Sequence, residues 1–231
     1  MEIIHVSAEC YPYAKAGGLG DVVGALPKYQ NKLAHIAKVV IPMYRTKYLY
    51  SNQFDVVHKG GFGMAHYWFN YTVIKESTNQ LGFDLYLIDI NNLLDREKVY
   101  GYDDDIERFV AFQIALVDWI SKWQHKPDVV HVHDHQAALI PFMMQSCFAY
   151  RNLSGIKTIL TIHNAQYQGW MDWNKSSYLP EWDRWKWGLL EWDDTINSLA
   201  CGIRCAAKVT TVSPGYLSEL KHNEKWIGNA V

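Results

Sequence analysis

Cysteine is scarce in this chain: 231 residues hold four, Cys10, Cys147, Cys201 and Cys205, and no two of them form a C-x-x-C pair. So few and so scattered a set excludes a disulfide scaffold. Cys201 and Cys205 lie four apart and share a face on a helix, but two sulfurs without nearby histidines make a poor zinc site, and packing in the core is the expectation. Neither sign of charge prevails, since Lys+Arg 22 against Asp+Glu 24 leaves a formal net charge of -2. That balance gives no general grip on nucleic acid or an anionic membrane, so neither is expected as a partner. Long apolar runs are missing as well. The opening MEIIHVSAEC has an acid at its second position and too short a run for a signal peptide, and nothing later approaches the roughly 20 residues that span a bilayer. A soluble, cytoplasmic chain is expected. With no internal repeat and no low-complexity linker, one large domain is the default for this length.

What is present is alternation. EIIHV (2–6), AKVVIP (37–42), FDLYLID (83–89), PDVVHVH (127–133), KTILTIH (157–163) and KVTTV (208–212) are short β-branched runs. They are separated mostly by helical patterns at 21–34, 105–124, 135–149, 194–206 and 214–221. This order predicts an α/β fold, an open parallel sheet with helices on both faces. QFDVVHKGGF and AHYWFNYTVI, alternating runs split by glycines, predict an appended β-hairpin. The last stretch, KWIGNAV, carries no obvious element that finishes the fold. In such sheets ligands bind beyond the carboxyl ends of the strands, which selects the loops after Val6, His133, His163 and Val212.

The first of those loops reads KAGGLGDVVGALPK, Lys15 to Lys28. Gly17, Gly18 and Gly20 let backbone N–H groups approach a ligand closely, and the following helix aims its partly positive N-terminus at the same place. With the Lys15 ammonium these features make a phosphate cradle; the alternative is a turn needed only for tight strand-to-helix packing. The pattern is neither G-x-G-x-x-G nor a Walker A loop. Pro27 is expected to kink the helix or to start its second segment.

The same residues resemble the K-x-G-G-L-G-D-V motif of bacterial glycogen synthases and plant starch synthases. Four further stretches resemble that family's motifs in order: DREKVYGYDDDIERF, PDVVHVHDHQAALIP, TIHNAQYQG and TTVSPGYLSEL. The resemblance implies a retaining glycosyltransferase of GT-B architecture, two Rossmann-like domains facing a cleft, that extends an α-1,4-glucan (glycogen) from ADP-glucose without a metal or cofactor. UDP-glucose is the other donor it leaves open. Residues 1–231 match a single Rossmann-like domain, the N-terminal, acceptor-side one, so a C-terminal nucleotide-binding domain is the implied partner, and the chain alone is expected to transfer little or no glucose. By similarity, Lys15, Gly17 and Gly18 contact the donor phosphates, Asp134 and His163 serve as catalytic residues, and Glu9, Asp21 and Asn164 lie around the sugars.

The residues agree with that implication in part. Asp134 and His163 each fall where an apolar strand ends, and a carboxylate or an imidazole there can bond sugar hydroxyls; alone, either could equally be a loop residue capping the next helix. The chain departs from the family pattern at His135-Gln136, where D-W-H is usual, at Ala200, where a lysine is common, and at Leu94, where an aromatic is usual. HVHDH sets His131, His133 and His135 on alternate positions, as in metal-dependent hydrolases, but such a site needs ligands from several later strands, and core or supporting histidines are expected instead. Six tryptophans, Trp170, Trp173, Trp182, Trp185, Trp187 and Trp192, crowd one segment. They read as a surface insertion with its own small cluster, or as a stacking surface for a glucan. The second option sustains a rival function, a non-catalytic glucan-binding or scaffolding protein derived from the synthase domain.

Overall fold

The computed structural model describes residues 1–222; the KWIGNAV stretch lies outside them. In chain order the strands are β1 (Glu2–Val6), β2 (Ile36–Pro42), β3 (Phe54–Met64), β4 (Tyr67–Glu76), β5 (Asp84–Asp89), β6 (Val129–His133), β7 (Lys157–Ile162), β8 (Trp170–Met171), β9 (Glu191–Trp192), β10 (Thr195–Asn197) and β11 (Lys208–Thr211). The α-helices are α1 (Gly18–Lys32), α2 (Lys47–Ser51), α3 (Asp105–Ser121), α4 (Ile140–Ser146), α5 (Ser198–Cys205) and α6 (Pro214–His222). None is long and apolar enough to cross a membrane.

Eight strands form one sheet in the order β11, β7, β6, β1, β2, β5, β4, β3, parallel from β11 to β5 and antiparallel in the last two pairs. The predicted parallel sheet and appended hairpin are both there. The hairpin turns at Ala65, with φ 54°, and not at the glycines. Gly60 lies inside β3 opposite Tyr71, whose ring would sit 2.5 Å from any Cβ added there. From β1 the chain crosses to β2 on one side, while β6 lies on the other. The reversal between β1 and β6 leaves a crevice at their carboxyl ends.

One face of the sheet is mostly apolar: Ile4, Val6, Val130, Val132 and Leu160 pack under α3 and α4. Helix α3 buries Phe112, Ile114, Leu116, Val117 and Ile120 there, which is why its apolar pattern is so dense. The opposite face divides. Beneath α1, strands β2 and β5 offer Val39, Ile41, Leu85 and Leu87 to Leu19 and Val23. Strands β1 and β6 instead bury His5, His131 and His133.

Three helix expectations are corrected in detail. α4 begins at Ile140 rather than 135, because Pro141 sits at its first turn and residues 134–140 are held by three-residue turns. α5 begins at Ser198, with the Asn197 side chain accepting from Ala200 N at 2.9 Å, and residues 195–197 pair as a strand instead. α1 continues through Pro27 as one helix, so Pro27 does not start a second segment.

Candidate functional site

The loop after β1 carries Glu9, buried at 3 % exposure, and this carboxylate organises the glycine segment. Its Oε2 accepts from Ala16 N at 2.7 Å and Gly17 N at 2.8 Å, and its Oε1 accepts from the Tyr100 hydroxyl at 2.8 Å. Part of the anion cradle read from the glycines is thus filled by the protein's own carboxylate. The N-terminus of α1 at Gly18 has no side-chain cap, and Gly17, Gly18 and Leu19 line the crevice. Gly20 is closely surrounded: an added Cβ would lie 3.2 Å from the Lys15 side chain and 3.3 Å from Glu9 Oε2, so those groups would have to give by a few tenths of an ångström.

Asp134 leaves the end of β6 in the left-handed conformation, φ 56°, which aspartate tolerates better than most residues. Its Oδ1 accepts from His163 N at 2.7 Å and Asn164 N at 3.2 Å, clamping the end of β7 beside the end of β6. Burial raises its carboxyl to about 7, opposed by those two N–H bonds and reinforced by nearby Glu9. His163 is pushed down to about 4 by burial, with Glu9 opposing. Asn164 is exposed, its Oδ1 accepting from Gln166 N at 2.9 Å.

These groups converge on a cavity of about 930 Å³. Glu9, Gly17, Gly18, Asp134, His163 and Asn164 line it, and so do residues of all four loops chosen from the strand ends. Lys15 and Asp21 do not. They pair with each other at 2.7 Å, both half exposed, beside the glycine loop. His135 and Gln136, two of the departures from the family pattern, line the cavity with His135 Nδ1 and Gln136 Oε1 lacking a protein partner among the described residues. The other two departures, Leu94 and Ala200, are fully buried.

One wall was not foreseen. Tyr100, Ile106, Phe109 and Gln113 come from α3 and the loop before it. The tyrosine lay in the quoted DREKVYGY stretch, but only packing against β1 shows that it reaches Glu9, 91 residues away. The alternate histidines do not share one face, because the chain turns at Asp134 and His135 leaves the strand. His131 and His133 are joined by His5 instead, their ligand nitrogens within 4.8 Å of one another. Two of those nitrogens, His5 Nδ1 and His133 Nε2, are already bonded to each other at 3.1 Å. The tryptophan segment is not a separate cluster: Trp182 is buried in the main core edge-on to Phe142, whereas Trp185 is 93 % exposed. All four cysteines are free and buried.

The β1/β6 reversal thus gathers a glycine loop, buried carboxyls and a histidine around one crevice of a Rossmann-like sheet. Residues 2–229 match the family described as starch synthase catalytic domain, and the chain belongs to that glycogen and starch synthase family. It is 52 % identical over 223 residues to a glycogen synthase of Flavobacterium johnsoniae, covering 96 % of this chain and 47 % of that protein. A glycogen synthase of Streptococcus gordonii is 39 % identical over 234 residues, covering 97 % and 48 %. The chain therefore spans about half the length of these curated relatives. The solved catalytic domain of starch synthase IV from Arabidopsis thaliana, bound to ADP and acarbose, superposes with a TM-score of 0.87 at 25 % identity, over 99 % of this chain and 48 % of that one.

Proposed function

We propose that this chain is the acceptor-side half of a synthase that transfers glucose from ADP-glucose to the non-reducing end of an α-1,4-glucan with retention. The observation that carries the reading is the cavity itself. Glu9, Gly18, Asp134 and His163, far apart in sequence, line one space at the strand ends. In this reading Gly18 N–H and the positive end of α1 meet the donor phosphates, and Lys15 swings from Asp21 to neutralise the departing nucleotide. An exposed ion pair is worth only about 0–1 kcal/mol, so that exchange is inexpensive. Stabilising charge that grows on the leaving phosphate lowers the transition state more than the ground state. Asp134 holds the His163 backbone in place, while the His163 ring and carbonyl, Asn164, Glu9 and, nearer the rim, Asp21 meet sugar hydroxyls.

The opposite wall of the cleft, with the groups that bind the nucleotide base, belongs in this reading to a C-terminal domain supplied in cis or in trans. The 231 residues alone transfer little or no glucose. The test is transfer of labelled glucose from ADP-glucose, and separately from UDP-glucose, into glycogen by this chain alone and mixed with a separately produced C-terminal domain of a related synthase. Activity only in the mixture, abolished by Lys15→Ala, supports the proposal. No transfer in the mixture, with glycogen binding indifferent to ADP and to Lys15→Ala, would make the chain a glucan-binding protein.

A further inference from the structure

The buried histidines form a directional chain that ends in the cavity. His5 Nε2 lies 2.7 Å from Gln30 Oε1, His5 Nδ1 lies 3.1 Å from His133 Nε2, and His133 Nδ1 lies 3.0 Å from His163 Nε2. Ring centroids 5.4 and 5.3 Å apart in the two histidine pairs mean that the rings meet edge to edge. A neutral imidazole has one N–H and one lone pair, so the proton positions along such a chain are not independent. The carbonyl oxygen of Gln30 can only accept. With the Gln30 Oε1 facing His5 and the rings neutral, the proton sits on Nε2 of His5, of His133 and of His163. Among the described residues nothing bonds His163 Nδ1, and His163 lines the cavity.

We propose that Gln30, His5 and His133 are positioning residues that set the tautomer of His163, leaving its Nδ1 as a lone pair to accept a hydrogen bond from a hydroxyl in the cavity. The reversed chain would present an N–H there instead, and a hydroxyl acceptor contact would be lost. Burial keeps all three rings neutral near pH 7, so the tautomer and not the charge is what the chain transmits. Glu9 also faces His163 and opposes that effect without overcoming it. Gln30 sits half-buried near the far end of α1, so a residue away from the cavity sets the tautomer of a histidine that lines it.

That the hydroxyl belongs to a sugar rests on the proposed function, but the tautomer does not, and the experiment reads it directly. Long-range 15N–1H correlation spectra of the histidine-labelled chain, with His163 assigned by the signal missing in His163→Asn, distinguish a protonated from an unprotonated ring nitrogen. The expected result is protonated Nε2 and unprotonated Nδ1 for His163 at pH 7. Gln30→Leu should convert this to a mixture of tautomers, and Gln30→Glu, which retains the acceptor, should restore the single form. In the reconstituted transfer assay Gln30→Leu should lower kcat/KM about fivefold, the value of one neutral hydrogen bond, with Gln30→Glu recovering it. A protonated Nδ1 on His163 in the unaltered chain overturns the proposal, and so does a His163 tautomer indifferent to Gln30→Leu in a folded protein. Failure of transfer in every sample, with the spectra as expected, would overturn the proposed function and leave the relay standing.

Discussion

Acidification should unfold this protein at an unusually mild pH. His5, His135 and His163 are each held at about 4, His131 at about 3, and His133 well below its ordinary value, all mainly by burial, against 6.5 in an open chain. Groups depressed in this way contribute stability that is fully present above pH 6.5 and is lost as the pH falls through about 4. Asp134 works in the opposite sense: raised to about 7, its contribution is fully present below about 3.8 and is lost as the pH rises through about 7. Between pH 6 and 5 the unfolded chain therefore binds about four more protons on the five histidines, less about one that the folded protein keeps on Asp134. A net uptake of about three protons lowers the unfolding free energy by about 4 kcal/mol per pH unit. Against a typical total of about 5–15 kcal/mol, one pH unit removes a large share of the stability. Urea unfolding followed by tryptophan fluorescence at pH 7.5, 6.5, 6.0 and 5.5 measures this, with a falling midpoint at constant slope as the expected outcome. A midpoint that stays level from pH 7 to 5.5 would refute the reasoning and place the histidines in contact with water.

Other outcomes follow from single contacts. In Gly24→Ala the new Cβ would lie 2.4 Å from the Tyr11 carbonyl oxygen, so α1 must shift against the glycine loop, at about 1–3 kcal/mol in urea unfolding. Gly202→Ala meets Ala138 Cβ and its carbonyl oxygen at 2.8 Å, and a comparable loss is expected. Asp134→Ala strips the acceptor from two part-buried N–H groups and should destabilise by about 1–3 kcal/mol, whereas Asp134→Asn, which keeps an acceptor and tolerates the left-handed backbone, should lie within about 1 kcal/mol of the parent. The four buried cysteines should resist a thiol reagent in the native protein and all react in urea, with Cys10 and Cys147 further protected by thiols pushed up to about 12.

Much of the architecture was legible because it is written in short-range patterns. β-branched runs and helical periodicity marked all six parallel strands, and the density of α3 announced a helix packed hard on the sheet. Boundaries were less secure where local chemistry intervened, as at Pro141, which delays α4, and Asn197, which caps α5 after a strand the periodicity read as helix. The tryptophan segment was ambiguous for a related reason: composition cannot say that Trp182 turns into the core while Trp185, three residues on, faces water.

The sequence by itself determined the family, the parallel sheet with its hairpin, and which loops gather at the strand ends, since motifs and periodicity act over a few residues. Tertiary structure alone decided what those loops do to one another. It set Glu9 into the cradle that glycines seemed to leave for a ligand, and paired Lys15 with Asp21 outside the cavity. It also brought His5 against His133, 128 residues away, because β1 is inserted between β2 and β6 and the parallel register aligns His5 with His131. Strand order and register are fixed by burial of the whole sheet, and no local stretch of sequence carries that information.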